Sequence, residues 1–171
     1  MKSFCLILTI VLLLVVSPLT NAQTRPGASN YVVSFNSFGP IKIGMTVSEA
    51  AKWLGVEPAN ADQEPCRFYE AKSDFKDVDF MINAGTIARF DVDKRGIATD
   101  RGAQVGDTEA RIKRLYRGMY RVTKHPYADG HYIEVKMKNG KRSITFETDG
   151  KRVTSYRAGR SKEVAYIEGC S

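Results

Sequence analysis

Residues 39–55 read G-P-I-K-I-G-M-T-V-S-E-A-A-K-W-L-G, and residues 102–118 carry a looser copy of the same stretch. Gly44, Thr46, Ala50, Trp53 and Leu54 answer to Gly106, Thr108, Ile112, Leu115 and Tyr116 at a constant offset of 62 residues. Each copy supplies a glycine turn, a capping residue and a short amphipathic helix, then a hairpin between strand-like runs. Repetition at fixed spacing implies one packing unit used twice. The chain is thereby limited to folds that stack a helix on a ribbon two times over.

The local signals agree with that limit. Thr46 followed by Glu49 forms a capping box, and Val47, Ala50, Ala51 and Leu54 make one apolar face that Gly55 ends. In the second copy Asp107 or Thr108 caps the helix, Ile112, Leu115, Tyr116 and Met119 form the stripe, and Arg111, Lys113, Arg114 and Arg117 take the remaining faces. Strand patterns cover residues 31–35, 66–71, 78–83, 86–92 and 120–123. Ala84-Gly85 turns the first hairpin. Asn139-Gly140 and Asp149-Gly150 turn a meander over 131–138, 141–148 and 151–157, because type I′ turns need positive φ at both central residues. The expected fold class is α+β: tandem helix-plus-antiparallel-meander repeats forming a sheet with helices packed on one face. Its units are a leader and first short strand (23–38), repeat 1 (39–100) and repeat 2 with the C-terminal tail (101–171), all in one compact domain.

The first 22 residues are read apart from the fold. Lys2, an apolar run over 4–16 and small residues before position 23 describe a secretory signal peptide cut after Ala22. Thirteen apolar residues reach only about 20 Å as a helix, short of the ~30 Å hydrocarbon core. The expected location is the periplasm or the exterior. Two cysteines, Cys66 and Cys170, then remain, and in an exported chain they read as a disulfide. Free thiols and metal ligation are the alternatives. No Cys-x-x-Cys occurs, and no histidine stands at ligand spacing.

Residues 23–100 hold 9 Lys and Arg against 11 Asp and Glu, a net of −2, whereas 101–171 hold 16 against 8, a net of +8. Such asymmetry points to an anionic partner or to a solvated basic surface. The meander presents Tyr132, Lys136, Lys138, Arg152 and Tyr156, and the second helix presents Arg111, Arg114 and Arg117. Tyr and Arg are the types that anchor protein interfaces. These eight are the candidate binding residues.

Catalytic and metal signals are thin. His125 and His131 flank a Pro/Gly loop containing Asp129 and offer a zinc pair or a base for acyl transfer, set against a plain turn. Residues 91–96 echo the start of a calcium loop, but Arg95 sits at a ligand position and Gly102 where the bidentate glutamate belongs. No cofactor motif, no metal site and no catalytic residue is assigned.

Ile43-Gly44-Met45-Thr46 with Ala50 and Leu54, and Val105-Gly106-Asp107-Thr108 with Ile112 and Leu115, resemble the repeat of the β-lactamase inhibitory proteins. A single-copy version occurs in related small outer-membrane assembly lipoproteins. The resemblance covers residues 39–157. It implies one antiparallel sheet whose concave face, with helices behind it, grips other proteins. This chain departs from that family in leaving little room for a second helix at 56–65 and in lacking a lipid-attachment cysteine. The expectation is an exported non-catalytic binding module, a protein inhibitor or regulator of an extracytoplasmic enzyme. The alternative is a structural accessory of the bacterial cell envelope. The partner is another extracytoplasmic protein or an anionic envelope component, with no membrane span after signal cleavage. Nucleic acid is not expected, because export separates the chain from it.

Overall fold

Two short helices begin at threonine caps in the computed structural model, which describes residues 31–55, 65–71 and 75–170. The expected signal peptide, the segment 23–30 and nearly all of the stretch 56–65 lie outside the described residues. In α1 (Val47–Leu54) the Thr46 hydroxyl accepts from the Glu49 amide at 3.2 Å, and the Glu49 carboxylate accepts from the Thr46 amide at 2.8 Å. Gly55, at φ +66°, ends the helix without the Cβ that would oppose that conformation. In α2 (Glu109–Leu115) the cap is Thr108, whose hydroxyl accepts from the Arg111 amide at 3.2 Å. Asp107 is occupied elsewhere, accepting from the Gln104 amide and from Arg111 Nε.

Both helix starts are stitched to a ribbon by the same three bonds. The Gly44 amide donates to Ile87 O, the Ile87 amide to Met45 O, and the Val47 amide to Gly85 O. In the second half the Gly106 amide donates to Val153 O, the Val153 amide to Asp107 O, and the Glu109 amide to Lys151 O. These bonds satisfy donors that a helix start leaves open and hold each glycine turn against a strand.

The strands are β1 (Ser37–Phe38), β2 (Ile41–Lys42), β3 (Cys66–Glu70), β4 (Asp79–Asn83), β5 (Thr86–Val92), β6 (Tyr120–Lys124), β7 (His131–Lys136), β8 (Arg142–Thr148) and β9 (Val153–Arg160). The first two form a small ribbon. The other seven form one antiparallel sheet in the order β3-β4-β5-β9-β8-β7-β6. The fold is mixed α+β with the sheet dominant. A strand expected at 31–35 does not form: the Ser34 hydroxyl accepts from the Asn36 and Ser37 amides and bends the chain there, leaving Val33 as an isolated bridge. The last strand runs past its expected end at 157 to Arg160 and passes into a four-residue helix, α3 (Ser161–Val164).

Alternation sorts the sheet into two faces. Phe80, Ile82, Phe90, Ile133, Val135, Ile144, Phe146, Tyr156 and Ala158 join Leu54, Val47, Ile112 and Tyr116 in one core beneath the helices. The reverse face was expected to be open. Its centre is instead covered by the protein's own C-terminal segment. Arg89 Nη1 donates to Glu163 O at 2.7 Å and Tyr166 O at 2.8 Å, and Arg157 Nε donates to Val164 O at 2.7 Å. The last carbonyls of a short helix lack partners within it, and two arginines from the sheet supply them. The disulfide Cys66–Cys170, with Cα atoms 5.5 Å apart, fastens the end of this strap to the edge strand β3. No helix among the described residues is long and apolar enough to cross a membrane.

The bridge spans 104 residues of sequence, so on chain-entropy reasoning it stabilises by about 4–5 kcal/mol. Replacing Cys66 and Cys170 together by serine is expected to lower the urea midpoint by that amount of stability. An unchanged midpoint would show that the strap is held by the arginines alone.

Candidate functional site: the far face and the basic end of the sheet

On the face away from α1 and α2 the register aligns one residue from every strand: Glu70, Asp79, Asp91, Arg157, Thr145, Glu134 and Arg121. Three of the four acidic side chains gather at the β3 end, and at the other Glu134 stands beside the terminal Arg121. Burial pushes Asp91 above the usual carboxylate range, against the pull of Arg89 at 2.8 Å and of Arg157. Burial also raises Asp79, and the neighbouring carboxylates Asp91, Asp93 and Glu70 add to it. Asp91 lies inside β5 and pairs with Arg89, so residues 91–96 do not open as a calcium loop. No cluster of three or more metal-binding side chains exists among the described residues.

The two histidines end on opposite faces. His125 is buried on the far face, stacked on the Tyr132 ring with centroids 4.6 Å apart. The Tyr127 amide donates to its Nδ1 at 3.0 Å, which assigns the ring proton to Nε2. That N–H is shared between Glu147 Oε1 at 3.0 Å and the Tyr132 hydroxyl at 2.9 Å. His131 lies on the helix side, with Nδ1 2.7 Å from Glu109 Oε1. A zinc pair is geometrically excluded, and His125 has no ring nitrogen left over for a substrate.

The expected binding residues separate into three groups. Tyr156 is 1% exposed, and its hydroxyl donates to Ile97 O beneath the helices. The reason is a bulge: the β8–β9 register steps from Glu147↔Ser155 to Thr148↔Val153, skipping Thr154, so Val153 and Tyr156 share the core face. Tyr132 is on the far face but buried under the Arg157 guanidinium. Arg111 and Arg152 are spent within the chain: Arg111 bonds Asp107 and Gly102 O, and Arg152 bonds Gly106 O at 2.8 Å. Lys136 is exposed and pairs with Glu134 at 3.1 Å.

Arg114, Arg117 and Lys138 are exposed without an ion-pair partner among the described residues. Arg121 and Lys124 on β6, which the sequence reading missed, are in the same condition. All five residues of β6 are exposed, Tyr120 at 39% and Val122 at 36%. Met119, Tyr120, Arg121, Glu134, Lys136 and Lys138 line a groove of about 460 Å³ at the start of this strand. The missed signal was alternation of Tyr120 and Val122 with Arg121 and Thr123, which suits a strand half open to water.

No protein-family model and no curated protein matches the chain. Among solved structures, the uncharacterized protein yfeY from Escherichia coli is similar over 75% of this chain and 99% of its own, at 19% identity and a TM-score of 0.48. A DUF4309 family protein, YjgB, from Bacillus subtilis is similar over 72% of this chain and 84% of its own, at 13% identity and a TM-score of 0.45.

Two outcomes follow from the geometry. Tyr156→Ala is expected to cost about 4 kcal/mol as a core truncation, and Tyr156→Phe about 1 kcal/mol for the hydroxyl, both read from urea unfolding. Glu109 feels burial pushing its pKa up, but hydrogen bonds with Thr148, His131 and Lys113 outweigh it and hold the carboxyl below its usual range. Its contribution is therefore present above the unfolded value near 4.3 and lost as pH falls through the lower folded value. Glu109→Gln is expected to cost about 2 kcal/mol at pH 7 and progressively less below about pH 4. An equal cost at both pH values would refute the ionic role.

Proposed function

We propose that this chain is an exported, non-catalytic binding module that holds a protein partner of acidic surface at the β6–β7 end of its sheet. The observation that carries this is the exposure of Arg114, Arg117, Arg121, Lys124 and Lys138 on or just beyond α2, β6 and β7, none with an ion-pair partner among the described residues. A surface carrying unpaired charge of one sign favours a partner of the opposite sign. The disulfide suits an oxidising compartment, which supports export. A role as inhibitor or regulator of an extracytoplasmic enzyme rests on the resemblance to β-lactamase inhibitory proteins.

The same reading makes the chain two copies of one packing unit, over 39–100 and 101–171. Its support is the matched bonds from each glycine turn to its ribbon, in which Ile87 and Gly85 are replaced by Val153 and Lys151. This is a constant offset of 66 residues. Applied to Phe90, Asp91 and Val92, that offset gives Tyr156, Arg157 and Ala158. The pairs Phe90↔Ala158 and Val92↔Tyr156 then exchange, and Asp91↔Arg157 maps onto itself. A local twofold axis through the centre of the sheet accounts for that pattern.

Affinity capture from a periplasmic extract tests the binding role. Reversing Arg114, Arg117 and Lys138 to glutamate is expected to reduce capture of the partner at least tenfold, and raising salt should act in the same direction. Lys42→Glu, an exposed change on β2, is expected to leave capture intact. Equal capture by all three forms would remove the basic end as the binding surface. Selective retention on vesicles of anionic phospholipid would favour the envelope-accessory alternative instead.

A further inference from the structure

We propose that the partner is engaged through an acidic, extended segment that adds to β6 as an eighth strand of the sheet. This deepens the binding reading above and rests on it. Hydrogen-bond parity defines what the edge presents. Just before β6, the Lys136 amide donates to Met119 O, and just after it the His125 amide donates to Gly130 O at 2.9 Å. With the register Tyr120↔Val135 to Lys124↔His131, these bonds place residues 119, 121, 123 and 125 in the hydrogen-bonded pairs. Tyr120, Val122 and Lys124 therefore turn their backbone N–H and C=O groups off the sheet. No described residue meets them.

Such a row is a template for another strand, and proteins usually blunt it with proline, a bulge or a cover. None of these is present: β6 contains no proline, its pairing to β7 has no register shift, and every one of its residues is exposed. Charge is the one device remaining, and on the strand itself all of it is positive, with Glu134 on β7 taken up by Lys136. Arg121 and Lys124 lie on the strand, with Arg117 just before it and Lys136 and Lys138 beside it. A second copy of this chain would bring an equally cationic edge against this one, so self-pairing is opposed. An acidic strand meets the opposite situation, with ladder bonds for affinity and cations for selection. Tyr120 and Val122, part-exposed on the helix side, offer apolar contact to alternate side chains of the added strand.

The probe is a capped heptapeptide of alternating valine and glutamate, titrated against the full chain at low salt. Binding is expected, with slowed amide exchange at Tyr120, Val122 and Lys124 and no change at Arg121 and Thr123, which are already paired. N-methylation of alternate peptide amides is expected to weaken binding at least tenfold, as is Val122→Pro, which removes an outward N–H without touching the β6–β7 ladder. The melting temperature checks that this variant still folds; the methylated peptide decides the matter even if it does not. Equal affinity for the methylated peptide, for a lysine-for-glutamate version, or no binding at millimolar peptide would overturn the proposal. If strand addition fails while capture from extract still depends on Arg114 and Arg117, the binding role stands and the edge is only a guard against self-association. If both fail, both fall.

Discussion

The pairing of β5 with β9 is the contact on which the remaining structure depends. It joins two ribbons that are remote in sequence, and it must offset the loop-closure entropy of bringing them together. Phe90↔Ala158 and Val92↔Tyr156 supply apolar burial on the helix side, while Asp91↔Arg157 and Arg89↔Gly159 lie on the reverse. The approach at Gly159 is close enough that a Cβ would meet Ala88 O at 2.3 Å. A glycine there lets the two strands come to ladder distance. Without that contact there would be two small sheets, each too narrow to bury both helices.

The same pairing sets the fate of the reverse face. It brings Arg89 and Arg157 side by side with their guanidinium groups pointing away from the core, where each would be costly to bury unpaired. Carbonyls of the C-terminal segment meet that need, and the disulfide closes the segment down over the arginines. Asp91 and Glu147 complete the network, at 2.8 Å from Arg89 and 3.5 Å from Arg157. A surface that would otherwise be polar and open is thus consumed internally. What remains accessible lies at the two ends of the sheet, where β3 and β6 each have a neighbour on one side only, and the β6 end carries the unpaired cations.

The proposed binding role is placed at that end. A concave sheet face gripping a partner is what the resemblance implied, yet the middle of this sheet is occupied by its own tail. The free cations and the free backbone groups coincide at β6 instead. Strand edges recognise extended segments through main-chain bonds, which makes them tolerant of sequence and dependent on charge for selectivity.

Reading the residues alone captured whatever is decided within a few positions. The threonine caps, the Gly55 stop and the Ala84-Gly85 turn, where both φ are positive, stand where local preferences put them. At Asn139-Gly140 and Asp149-Gly150 only the glycine has positive φ, and the strands stop at Lys136 and Thr148 and resume at Arg142 and Val153, so longer loops replace the expected two-residue type I′ turns. Cysteine arithmetic was enough for the single bridge, because reading Cys5 as part of a leader leaves Cys66 and Cys170 as the one pairing. The tertiary structure alone decided which strands meet at the centre, which lies at the edge and what covers the reverse face. It also decided the side of Tyr156, since one skipped residue at Thr154 inverts the alternation that a period-two reading assumes. Those outcomes turn on contacts between residues far apart in the chain. Local preference is silent about them, because their free energy appears only when the two halves are packed together.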